Sequence, residues 1–231
     1  AQGAEMIYMG SVLTALLRYN TVERFRNRHA LFIPPGGSNA VGVLGFVNAG
    51  LELAAQVAAG DVPKPAAIYV AVGTGGTLAG LVLGLKLAGL ETQVIGIRVA
   101  PGPFASANTA RKLASRTLAL MRQHDGSFPS LRLTRKQFTV AGGYYGKGYG
   151  HPTPAAEEAL RLLAETEGIT LESTYTAKAL SALVESIPTT KGPLLFWNTF
   201  SSNDSSSNDL SALSEGVEPK SLPPSFHRFF R

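Results

Sequence analysis

The run AIYVAV, Ala67 to Val72, passes directly into Gly73-Thr74-Gly75-Gly76-Thr77-Leu78-Ala79-Gly80, and no other stretch restricts the fold as much. Six residues without a charged or strongly polar member are of strand length. With no alternation they suit a strand buried on both faces, the condition of a parallel sheet covered by helices. The glycines then turn the chain into an apolar helix from about Leu78 to Leu87, ended near Gly89. VIGIRV, Val94 to Val99, and LLFW, Leu194 to Trp197, repeat the buried-strand pattern. Strands alternating with helices make an α/β chain, and the expected architecture is a three-layer parallel sheet flanked by helices.

The remaining segments fill in this scheme. Leu31 to Ile33 reads as a short strand stopped by Pro34-Pro35, Asn39 to Ala59 as a helix, and Ala105 to Gln123 as an amphipathic helix. Phe128 to Gln137 is polar and assigns to neither type. The helix at 154 to 167 has defined ends: Thr153 can cap it, Pro154 suits its first position, Glu157 and Glu158 favour its positive end, and Gly168 can terminate it. Ile169 to Leu171 reads as a short strand and Ala177 to Ile187 as a helix. Beyond Phe200 the composition turns to Ser, Asn, Asp, Pro and Glu, and residues 200–231 read as a poorly ordered tail.

Composition removes several function classes. The 231 residues contain no cysteine, which excludes disulfides, thiolate metal sites and a cysteine nucleophile. The four histidines, His29, His124, His151 and His227, stand at no metal-pair spacing, so no metal is expected. A net charge of +5 is spread over dispersed residues, with only 16% charged in all, and does not form the basic stripe of a nucleic-acid partner. No apolar run approaches the roughly 18 residues of a membrane span, and no leader pattern opens the sequence. The expectation is a cytoplasmic protein without membrane or nucleic-acid partners.

Four loops at strand-to-helix junctions carry candidate chemistry. Glycines in GTGGT let backbone N–H groups turn inward, the helix start adds partial positive charge, and Thr74 and Thr77 add hydroxyls, which together suit a phosphate. The stretch lacks the Lys-Ser/Thr pair of a nucleotide-triphosphate loop, and no acidic residue follows VIGIRV as a dinucleotide site requires. Pro34-Pro35-Gly36-Gly37-Ser38-Asn39 is a second such junction, in which Ser38 or Asn39 could simply cap a helix. The third, Ala141 to Gly150, offers three tyrosines and Lys147 among glycines, which suits a ligand wall and equally a packing loop. The fourth, Ser173-Thr174-Tyr175-Thr176-Ala177-Lys178, lies where ligands sit in open α/β sheets, with Thr176 a possible cap.

In order along the chain, GGSNAVG, GTGGTLAG, GYGHPTPAAEEALRLLAETEGI, TYTAKAL and LLFWNT resemble the D-cysteine desulfhydrase and aminocyclopropane-carboxylate deaminase family of pyridoxal-phosphate enzymes. The resemblance covers Ala4 to Thr199. It implies the type II pyridoxal-phosphate fold, similar to the tryptophan synthase β subunit, with pyridoxal 5'-phosphate as cofactor, a small amino acid as substrate and a homodimer as assembly. By the same resemblance, Gly73, Thr74, Gly75, Gly76 and Thr77 would hold the phosphate, Tyr149 and Tyr175 would be catalytic at the substrate side of the ring, and Thr176 and Thr199 would stand near the pyridine nitrogen. Hydroxyl residues at these last two positions match the desulfhydrase branch, in which β-elimination gives pyruvate, sulfide and ammonia; the deaminase branch has an acidic residue and a leucine there. The family's cofactor-anchoring lysine lies in an Asn-Lys-x-Arg-Lys segment followed by a Ser-Asn-His loop, and this sequence contains neither. Lys147 and Lys178 match no such position. Asn198-Thr199-Phe200-Ser201 replaces the usual His-Thr-Gly-Gly, and Glu172-Ser173 replaces Asp-Pro. The resemblance therefore implies the C-terminal two-thirds of such an enzyme, with residues 1–50 a remnant of a small domain and 51–199 the large cofactor-binding domain. Alternatives are an aminocyclopropane-carboxylate deaminase, a non-catalytic relative that binds a ligand or a complete subunit, and a nucleotide-binding oxidoreductase module.

Overall fold

In the computed structural model, which describes residues 11–26, 29 and 31–200, strand β1 (Ala67–Val72) sends its side chains alternately into two cores. Ile68, Val70 and Val72 face one, and Ala67 and Tyr69 face the other. Parallel neighbours complete the sheet: β2 (Gln93–Arg98) in register Ala67↔Gln93 to Val72↔Arg98, and β4 (Leu194–Phe196) in register Ala67↔Leu194 to Tyr69↔Phe196. Strand β3 (Thr139–Ala141) pairs with β2, Ile95↔Thr139 to Ile97↔Ala141, so the order is β3-β2-β1-β4. All four strands therefore end on one edge, and the segments that leave that edge carry the candidate site.

The described residues fall into two units, one within Ala1–Phe32 and one spanning Ile33–Phe200. In the first, α1 (Val12–Arg18) passes through a wider turn at Tyr19–Glu23 into α2 (Arg24–Arg26), Arg18 Nε donates to Glu23 Oε1 at 2.9 Å, and Tyr19 stacks on Phe32. In the second, α3 (Leu44–Ala59), α4 (Gly76–Leu87) and α5 (Ala107–His124) cover one face of the sheet. Helix α7 (Thr176–Ser186) covers the other, with α6 (Pro154–Glu167) packed on it through Ala156, Ala159, Ala177 and Leu180. This is the three-layer parallel arrangement expected from the sequence.

Most element positions agree with the sequence expectations to within a residue or two, and the differences have local causes. Leu31 to Ile33 form no strand: Leu31 and Ile33 are exposed, and Pro34-Pro35 begin a tight turn over Pro35–Gly37 and offer no N–H for a ladder. The helix expected from Asn39 begins at Leu44, because the Asn39 side chain accepts the N–H groups of Val41 and Gly42 and holds residues 39–43 as turns. Ile169 to Leu171 run extended without a sheet partner. Strand β3, three half-buried residues, falls just beyond the polar stretch that the sequence left unassigned. Helix α6 has the expected boundaries, with Thr153 Oγ1 accepting Ala156 N–H at 3.2 Å and Gly168 at φ 68°. The expected tail, apart from Phe200, lies outside the described residues.

Helices α3 and α4 cross at glycines. A Cβ on Gly84 would collide with the Val47 carbonyl and stand 3.1 Å from Gly50 Cα, and one on Gly50 would stand 3.0 Å from the Leu81 carbonyl. The fully buried Leu78, Leu81 and Leu83 depend on this approach. Gly84→Ala should therefore destabilise by about 1–3 kcal/mol despite alanine's better helix propensity. Gly45→Ala, with nothing within 4 Å of the new methyl, should be neutral or stabilising by up to about 1 kcal/mol. Urea unfolding of the two variants checks both signs.

Candidate functional site

The turn after β1 is built to leave amides unsatisfied. Gly75 sits at φ 86°, in the left-handed region that a side chain resists, and α4 begins at Gly76 without a side-chain cap. Ala79 N–H donates to the Gly75 carbonyl at 3.0 Å, the first bond of the helix, so the amides of Gly76, Thr77 and Leu78 point out of its end. Unpaired amide donors and the positive end of a helix dipole are the chemistry that attracts an anion.

The second glycine junction meets the first. Ser38 Oγ and Thr74 Oγ1 share a hydrogen bond of 2.5 Å across 36 residues of sequence. Two missing side chains allow it: a Cβ on Gly36 would strike Thr74 Oγ1, and a Cβ on Gly76 would stand 2.8 Å from Ser38 Oγ. Asn39 takes the local capping role, and Ser38 turns to the GTGGT loop instead. Nothing local in the sequence announces this pairing; the signal was two Gly-Ser/Thr junctions that both follow apolar segments.

The tyrosines arrive from the other side of β1. Tyr175, half-buried just before α7, lies beside Gly73, where a Cβ would stand 3.7 Å from its Cε1. Its hydroxyl shares a hydrogen bond with that of Tyr149, and the rings meet edge to face with centroids 5.8 Å apart. Tyr149 is 55% exposed at the end of the glycine loop. Helix α7 also clamps that loop, through Lys178 Nζ donating to the Tyr145 carbonyl at 3.0 Å and Tyr144 OH donating to Glu185 Oε2 at 2.7 Å. Lys178 is fully buried, and burial lowers its pKa against an opposing pull from Glu172.

Thr176 and Thr199 are not brought together by any hydrogen bond among the described residues. Thr176 is buried, and its hydroxyl is engaged with Glu172, 3.0 Å from Oε1 and 3.3 Å from the carbonyl oxygen. The Glu172 carboxylate also accepts the N–H groups of Thr174, Tyr175 and Thr176 at 2.6–3.0 Å, so it caps α7 and fixes Tyr175. Sequence reasoning gave the cap to Thr176 and missed Glu172; a carboxylate four residues before a helix start was the available signal. Thr199 is exposed beyond the end of β4, beside Phe200, whose N–H donates to Asn198 Oδ1. Among the described residues no cluster of His, Asp or Glu suits a metal, and no helix is long and apolar enough to cross a membrane.

The sequence pattern of the family described as pyridoxal-phosphate dependent enzyme matches residues 1–193. The chain belongs to this family. It is 36% identical over 172 residues to a D-cysteine desulfhydrase of Klebsiella pneumoniae, a match that covers 72% of this chain and 49% of that protein. A solved structure of an aminocyclopropane-carboxylate deaminase homologue superposes with a TM-score of 0.66 at 27% identity, over 84% of this chain and 58% of that one. The chain thus spans about half the length of the curated relative, and its fold is the type II pyridoxal-phosphate fold. The family's cofactor carries a phosphate, and the uncapped start of α4, with glycines where side chains would fill the space, fits that group.

Burial first, then its bond to Tyr149 and the nearby Glu172 charge, pushes the Tyr175 hydroxyl up to about 12. A raised pKa favours the protonated form, so this contribution to stability is complete below pH 10 and is lost between about pH 10 and 12. Absorbance titration at the tyrosinate band should show a phenol ionising near 12 that disappears in Tyr175→Phe. Ionisation of that phenol at its ordinary value would contradict the Tyr149–Tyr175 bond.

Proposed function

We propose that this chain forms the cofactor-phosphate and tyrosine part of a pyridoxal-phosphate lyase of the D-cysteine desulfhydrase type. The observation that carries the reading is the meeting, at Gly73, of an uncapped helix start with a bonded pair of tyrosine hydroxyls. The resemblance of the sequence to a D-cysteine desulfhydrase supports the substrate class. The amides and hydroxyls of Gly73, Thr74, Gly75, Gly76 and Thr77 would hold the phosphate. Bound there, pyridoxal phosphate supplies an electron sink that acidifies the substrate's α-carbon. Tyr149 and Tyr175 are the catalytic hydroxyls: their shared bond holds a proton at the substrate side. Breaking the carbon–sulfur bond of D-cysteine and hydrolysing the product give sulfide, pyruvate and ammonia.

Thr176 and Thr199 stand where the deaminase branch has an acidic residue and a leucine, which supports the desulfhydrase branch. The Thr176 hydroxyl donates its proton to Glu172 Oε1 at 3.0 Å, and it is a neutral group where the deaminase branch would have a carboxylate. The likeness to an aminocyclopropane-carboxylate deaminase homologue supports that activity as the second reading. A homodimer acting on a small amino acid in the cytoplasm completes the proposal, and this part follows from the resemblance alone.

The longest natural form of the protein should release sulfide from D-cysteine faster than ketobutyrate from aminocyclopropane-carboxylate; the opposite preference would favour the second reading. Tyr175→Phe should lower kcat by about a hundredfold or more while leaving cofactor affinity within about twofold. Unchanged turnover would take Tyr175 out of the reaction.

A further inference from the structure

We infer that Ser38, from the Pro34–Asn39 turn, is a further ligand of the cofactor phosphate, delivered across the fold to the start of α4. This rests on the pyridoxal-phosphate reading and adds to it a residue outside the GTGGT loop.

The Pro34–Asn39 turn directs Ser38 away from its own chain neighbours. Two consecutive prolines and two left-handed glycines, Gly36 at φ 65° and Gly37 at φ 61°, bend the chain so that Gly37 N–H donates back to the Pro34 carbonyl at 2.8 Å. The bend does not seat Ser38 as a local cap, since Asn39 receives the amides of Val41 and Gly42. It carries Ser38 Oγ to Thr74 Oγ1 and to within 2.8 Å of the place where a Gly76 side chain would begin. Gly76 is the first residue of α4, so the hydroxyl lies over the helix end whose amides have no cap.

The donor count then favours an anion. Each hydroxyl has one proton and two lone pairs. When Thr74 donates to Ser38, the Ser38 proton has only the Gly36 carbonyl, at a marginal 3.5 Å, to bond. An oxyanion at the α4 start replaces that weak bond with a charge-assisted one, which is about twice as strong as a neutral bond. Ser38 is half-buried, so the bond is partly shielded from solvent. The pair also joins the segment before α3 to the turn before α4, so phosphate binding braces both junctions.

The test measures binding of two ligands that differ only in the phosphate. Equilibrium dialysis of the longest natural form of the protein with pyridoxal phosphate and with pyridoxal should show a strong preference for the phosphorylated compound. Ser38→Ala should weaken pyridoxal phosphate by about 10- to 100-fold, the range expected for a hydrogen bond to a charged group, and leave pyridoxal within about twofold. Ser38→Thr, which restores the hydroxyl, should recover most of the affinity. Thr74→Val combined with Ser38→Ala should lose less than the product of the single effects, because the two hydroxyls act as a pair. Unchanged pyridoxal phosphate affinity in Ser38→Ala, alongside a loss in Thr77→Val, would overturn the role of Ser38 and leave the cofactor reading standing. Equal binding of pyridoxal and pyridoxal phosphate by the unaltered protein would overturn both.

Discussion

The candidate site depends on the parallel pairing of β1 with β2 and β4. Because all strands point one way, the turns that follow them collect on a single edge, and the backbone that leaves β1 has no strand partner to satisfy it. Gly75 bends the chain into α4 within three residues, and the helix opens with bare amides instead of a cap. The uncapped amides and the helix dipole give the turn after β1 a partial positive charge from backbone alone. Ser38 comes to it from one side, admitted by Gly36 and Gly76, and Tyr175 lies against Gly73 on the other.

Where the sequence reading succeeded, one physical rule decided the matter without help from distant residues. AIYVAV has no polar face, so it could only be an interior strand, and the structure places it second in the sheet with both faces covered. Thr153, Pro154 and Gly168 bound α6 by local backbone chemistry alone. The short apolar runs at Leu31–Ile33 and Ile169–Leu171 failed for the complementary reason. Three residues cannot signal whether a neighbour will pair with them, and here none does, while the equally short β3 has one in β2.

The site was legible in its parts and not in its joins. GTGGT between a strand and a helix reads as a phosphate cradle or a plain tight turn, and the structure adds the left-handed Gly75 and the uncapped α4. The Ser38–Thr74 bond spans 36 residues, and the sequence showed only two glycine-rich turns that could each have been a cap. Glu172 was passed over because its role depends on Thr174, Tyr175 and Thr176 folding back over one carboxylate. Lys178, which matches no position of the family's cofactor lysine, is a buried brace that holds the tyrosine loop by the Tyr145 carbonyl.

The central claim is that the turn after β1 is the seat of a phosphate. Amide hydrogen exchange of the longest natural form, with and without pyridoxal phosphate, tests it most directly, because the amides in question have no other partner to slow them. The account predicts that the cofactor slows exchange at residues 76–78 first, with residues 36–38 slowed along with them. Unchanged exchange at 76–78, with protection arising elsewhere in the chain, would contradict it.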